Sequence, residues 1–109
     1  MRAILFISFL LFSFNLNADD LVNGKLKAET VCAACHGLNG QATTAGNSVI
    51  IPNITAQNKE YLVARLKGYK SGKIQHAQMT VIAGMLSEKD INDVSEWYSK
   101  IKIKILDPN

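Results

Sequence analysis

The sequence predicts a small all-α domain, and three observations lead there. A chain of 109 residues holds one domain at most, since domains usually run to about 100–150 residues. Its composition, 48% hydrophobic and 19% charged with a net charge of +3, belongs to a folded chain and excludes a disordered or nucleic-acid-binding tail. No alternating apolar pattern long enough to build a sheet occurs before residue 100, whereas helical spacing recurs.

The N-terminus reads as an address. Arg2 gives a positive start, Ala3 to Phe14 is apolar apart from Ser8 and Ser13, and Asn15-Leu16-Asn17-Ala18 follows, the order of a secretory signal peptide. Its apolar run is shorter than the about 18–20 residues that span a bilayer, which weighs against a retained anchor. Cleavage is expected after Ala18. Residues 1–18 are therefore assigned as signal and 19–109 as the folded domain, which places the mature protein in the periplasm without a membrane span. All four Phe residues leave with the signal, so the mature core is poor and calls for help from a disulfide, metal or cofactor.

The first helix is expected over 23–34, capped by Asp20 or Asn23, with Leu26 and Val31 on its apolar side. Gly24 inside it is costly unless another backbone or ring must approach closely. A loop punctuated by Gly37, Asn39-Gly40 and Gly46 then carries the short apolar run Val49-Ile50-Ile51-Pro52. Asn53-Ile54-Thr55 matches the glycosylation pattern and carries little weight alone. Tyr61, Leu62, Arg65, Leu66 and Tyr69 predict a helix over 60–68.

Residues 70–86 lack periodicity and read as a loop. Ser87-Glu88-Lys89-Asp90 is a capping-box start, and Ile91, Val94, Trp97, Tyr98 and Ile101 form the stripe of the clearest helix. Beyond it, residues 100–106 alternate Lys and Ile before Leu106. A solvated terminus is preferred there to an extended edge, a frayed helix end or a basic docking strip, and 100–109 counts as a basic extension.

The chemistry sits in Cys32-Ala33-Ala34-Cys35-His36, the C-x-x-C-H attachment signature of c-type haem. Two thiols three residues apart on a helical turn face the same side and can form thioethers with the two vinyl groups of the macrocycle. His36 then supplies an axial nitrogen to the iron. A thioredoxin-type redox pair would want a βαβ setting that is missing, and a structural disulfide would leave His36 unexplained. The expected cofactor is one haem c, attached through Cys32 and Cys35.

An electron-carrying haem needs a second axial ligand, and the candidates are Met79, Met85 and His76. Met85, beside the Ser87 cap, reads by default as core packing. Met79 lies deeper in the aperiodic stretch between Gln78 and Thr80, where a core does not obviously want it. His76 could be a ligand, a solvated residue or a propionate neighbour.

Gly24-Lys25, Cys32 to Gly37, Pro52-Asn53-Ile54, Glu60-Tyr61-Leu62, Lys70-Ser71-Gly72, Met79-Thr80 and Leu86 to Ile91 occur in an order that resembles the monohaem class I cytochromes c of the bacterial c553 type. The chain is also similar to one half of a dihaem cytochrome c4. The resemblance covers nearly all of residues 23–99. It implies the class I cytochrome c fold, with helices wrapped around one covalent haem and the terminal helices crossing, Gly24 near Trp97 or Tyr98. It also implies Met79 as the distal ligand beside His36, and a hydrogen bond from His36 Nδ1–H to the Pro52 carbonyl. Two features depart from the family: Gln78 stands where proline often precedes the ligand methionine, and the tail beyond residue 100 has no counterpart.

These readings lead to a periplasmic electron carrier, not an enzyme, cycling Fe(III)/Fe(II) as a monomer. Val49, Ile50, Ile51, Ile54, Leu62, Leu66 and the last helix would form the haem wall. Redox partners (an oxidase, reductase or peroxidase) would dock transiently, with Lys25, Lys27, Lys59, Lys67, Lys70 and Lys73 either a steering rim or merely solvated. The alternatives are a haem-based gas sensor or ligand-binding module, and a haem subunit of a larger dehydrogenase.

Overall fold

The computed structural model describes residues 16–42 and 51–107. The expected signal peptide falls almost wholly outside them, as do Val49 and Ile50. Among these residues five α-helices follow one another: α1 Leu16–Lys27, α2 Ala33–His36, α3 Lys59–Lys70, α4 Ala77–Gly84 and α5 Glu88–Lys100, with a π-helical turn Ala28–Cys32 joining α1 to α2. The described residues contain no strand.

The first helical stretch differs from expectation at its start. α1 begins at Leu16, so Asp20 and Asn23 are interior residues, not caps. Their side chains serve the crossing of α1 with α5 instead. Asn23 Nδ2 donates to Asp93 Oδ2 at 2.5 Å, and Lys89 Nζ bridges Asp20 Oδ1 at 2.9 Å and Asp93 Oδ2 at 2.6 Å. Asp93 is fully buried, which such a charge tolerates only when bonded in this way. At the crossing the helices touch backbone to side: a Cβ on Gly24 would lie 2.1 Å from Asp93 O and 3.2 Å from Trp97 Cβ. Only glycine lets the axes come this close.

α3 runs one residue earlier and two later than predicted. Asn58 caps it, accepting the Tyr61 N–H at 2.9 Å. α5 starts where the sequence placed it, with the capping box complete: Asp90 N–H to Ser87 Oγ at 3.0 Å and Ser87 N–H to Asp90 Oδ2 at 3.1 Å.

α4 is the main correction to the expected loop over 70–86. Met79, Val81, Ile82 and Ala83 leave it apolar with no single stripe, so periodicity could not reveal it. It packs on α3, and Lys70 Nζ donates to the Leu86 carbonyl at the far end of α4. Met85, expected in the core, is instead exposed, and Leu86 takes the buried place.

The core is small. Ala28, Leu62, Val94 and Tyr98 form its centre, where the π-helical turn, α3 and α5 meet, and Cys32, Leu38, Ile54, Leu66, Trp97 and Ile101 pack around it half-buried. After Lys100 the backbone turns extended; Ile101 still touches the core, while residues 102–106 are exposed, as a solvated terminus would be.

Candidate haem-attachment site

The π-helical turn ends at Cys32 and α2 carries Cys35 and His36, so all three chemical residues sit on one continuous helical run. In the wide turn the Ala33 N–H reaches back to Ala28 O, an insertion of a kind that recurs at functional sites. Both thiols are free, Cys32 half-buried against the core and Cys35 exposed. Burial pushes the Cys32 thiol up to about 11, with the neighbouring Tyr98 hydroxyl offsetting part of the rise.

Gly37 ends α2 at φ +74° and ψ 155°, a conformation open to glycine, and a Cβ there would meet Gln41 O at 2.4 Å. The chain behind it is fastened to α5: Tyr98 Oη donates to Gly37 O at 2.9 Å and Trp97 Nε1 to Leu38 O at 3.0 Å. It is also laced to the segment 53–55. Ile54 N–H donates to Gly40 O at 2.7 Å, Thr55 Oγ1 to Asn39 O at 2.7 Å, and Ala42 N–H to Asn53 Oδ1 at 2.8 Å. Asn53, flagged by the glycosylation pattern, thus has a structural bond.

That lacing sets Pro52 opposite the histidine. Its carbonyl oxygen lies 2.9 Å from His36 Nδ1. A carbonyl can only accept, so Nδ1 carries the proton and Nε2 keeps a lone pair for a metal. Two free thiols at the attachment spacing, an imidazole oriented by its second nitrogen, and the half-buried apolar side chains of Leu66 and Ile54 suit a covalent haem.

Of the distal candidates, Met79 lies half-buried in the first turn of α4. His76 caps that helix, its Nδ1 accepting the Met79 N–H at 3.2 Å. Nothing in the spacing of His76 announced a cap, because histidine is not among the usual capping residues. Trp97 and Tyr98 were legible only as stripe residues; their polar atoms emerge as the fasteners of the loop.

The lysines that could form either a steering rim or solvated faces are mostly engaged. Lys25, Lys27, Lys59 and Lys67 lie 3.8, 3.4, 2.8 and 2.9 Å from Glu29, Asp90, Glu96 and Glu88, and Lys70 holds Leu86 O. The solvated-face reading fits them better than a concentrated positive field.

Residues 21–102 match the family model for cytochrome c. The chain belongs to the cytochrome c family. It is 40% identical over 85 residues to cytochrome c-554(548) of Halomonas halodenitrificans, covering 75% of this chain and 96% of that protein. It is 31% identical over 94 residues to cytochrome c4 of Pseudomonas aeruginosa, covering 84% of this chain but 44% of that one. A thiosulfate dehydrogenase electron acceptor of Thiomonas intermedia is 30% identical over 71 residues, 65% of this chain and 31% of its own length. The chain therefore spans nearly all of the first relative and less than half of the other two. This cytochrome c is a class I, monohaem electron carrier, holding haem c through Cys32 and Cys35. No described helix is long and apolar enough to cross a membrane.

Proposed function

We propose that this cytochrome c is a periplasmic shuttle that passes single electrons between respiratory redox proteins, with His36 and Met79 as the residues that would bind the haem iron. The His36–Pro52 contact carries the reading. It supports a neutral imidazole in one tautomer, held by a backbone that five further hydrogen bonds keep in register.

Haem, when bound, supplies a one-electron Fe(III)/Fe(II) couple. The protein supplies the rest. Cys32 and Cys35 would hold the haem covalently, His36 Nε2 is presented by its Nδ1–H bond to Pro52, and Leu62, Leu66 and Ile54 would help exclude water. Met79 fits the distal role because the rival imidazole is already committed: His76 Nδ1 accepts a backbone N–H, which leaves its proton on Nε2 and no lone pair there. The residues before 19 act as a cleaved signal, and 19–109 as the working domain.

Partners dock weakly and transiently, and a relative named as the electron acceptor of a thiosulfate dehydrogenase supports a dehydrogenase as one donor class. The test is an absorption spectrum of the haem-loaded protein, wild type and Met79→Ala. A weak far-red band in the oxidised wild type that disappears in the variant is the expected result. A wild type without the band would overturn Met79. Rapid binding of CO by the reduced wild type would overturn the carrier in favour of a sensor.

A further inference from the structure

We infer that His76 is the positioning residue that holds Met79 for the iron, doing through a side-chain cap what proline does at the preceding position in many family members; this rests on the reading of Met79 as the distal ligand. Four backbone N–H groups at the start of any helix lack intrahelical acceptors, and that turn is where helices fray. Met79 sits in that turn of α4, and Gln78 before it leaves the backbone free to rotate where proline would fix φ.

The cap falls on the ligand itself. His76 is in an extended conformation (φ −160°, ψ 118°), and its Nδ1 accepts the N–H of Met79 rather than that of a neighbour. The His76 N–H donates in turn to Thr80 Oγ1 at 3.4 Å, so the first turn is held from both directions. The imidazole, though exposed, is seated. Tyr69 meets it edge-on, ring centroids 5.8 Å apart at 69°, and Arg65 lies over Tyr69 at 5.2 Å with Nη2 donating to the Tyr69 hydroxyl at 3.0 Å. Arg65 and Tyr69 both belong to α3, the helix that contributes Leu62 to the core, so the position of Met79 is referred to a packed element. A serine or aspartate could cap α4 but would be too short to reach α3.

The experiment uses imidazole as a competing ligand of the oxidised, haem-loaded protein, because imidazole binds only as the Met79 segment gives way. His76→Ala should bind it about fivefold more tightly, the equivalent of one lost helix cap, and show a weakened far-red band. His76→Asn, a good capping residue that is too short to reach Tyr69, should recover part of the loss and fall between the alanine variant and wild type. His76→Phe, which keeps a ring against Tyr69 but offers no acceptor, should behave as the alanine variant. Unchanged imidazole affinity in the alanine and phenylalanine variants overturns the role of His76. The two readings separate cleanly. If Met79→Ala loses the band while the His76 variants match wild type, only the cap is wrong. If the wild type has no band and its low-spin spectrum is lost in His76→Ala but kept in Met79→Ala, both fall.

Discussion

Replacing Gly24 by alanine puts a methyl carbon where α1 crosses α5, 2.1 Å from Asp93 O, 2.8 Å from Asp93 C and 3.2 Å from Trp97 Cβ. The obstacle is backbone and cannot swing aside. Restoring van der Waals separation requires the helices to part by about 1 Å, which overpacking studies value at about 1–3 kcal/mol. The same movement strains the 2.5 Å bond from Asn23 to the buried Asp93 carboxylate, a charge-assisted contact contributing about 1.5–3 kcal/mol. Alanine returns about 1 kcal/mol of helix propensity. The net loss is about 3 kcal/mol, and at about 4–8 °C per kcal/mol for a domain of this size the melting temperature falls by about 12–24 °C. Far-UV circular dichroism of the haem-loaded protein during heating measures it. Gly84→Ala is the matched control, since a Cβ there meets nothing within 4 Å and the change should be neutral or stabilising by about 0.5 kcal/mol. A Gly24→Ala protein melting within about 3 °C of wild type would refute the close crossing.

Two further outcomes follow from the core and its ion pairs. With Cys32 and Cys35 both changed to Ala the chain cannot retain haem covalently and is expected to be largely unfolded. The buried apolar side chains among the described residues are only Ala28, Leu62, Ala83, Leu86, Ile91, Val94 and Tyr98, so native-like near-UV circular dichroism of that variant would contradict the prediction. Glu96 is held below the usual carboxylate range by the Lys59 ammonium at 2.8 Å, against the opposing effect of burial and with help from Lys100. A depressed pKa in the folded state stabilises above the unfolded value of 4.5 and is lost as pH falls through the folded value. Glu96→Gln should therefore cost on the order of 0.5 kcal/mol at pH 7 and flatten the loss of stability on acidification; an unchanged acid limb in denaturant titrations between pH 6 and 3 would show the pair to be idle.

What the sequence by itself determined was local. Cys32, Cys35 and His36 lie within one helical turn and a residue, so their chemistry needed no fold to be recognised. The Ser87–Asp90 capping box and the stripe from Ile91 to Tyr98 were equally legible, because capping acts over three residues and an amphipathic helix repeats its burial every turn. The resemblance added Gly24, Pro52 and Met79 as positions without supplying the forces that act on them. Tertiary structure decided those. Pro52 O meets His36 only because segments 39–42 and 53–55 are laced together, and Gly24 is required only because Asp93 backs onto it. The start of α1 at Leu16 and the whole of α4 escaped the sequence reading: polar residues at the head of α1 resemble caps until their partners on α5 are seen, and α4 has no polar face to set its period. The roles of His76, Trp97 and Tyr98 are contacts across 3, 59 and 61 residues. The last two follow from packing, whose geometry no local pattern encodes, and the first from a tautomer that only its hydrogen-bond partner can select.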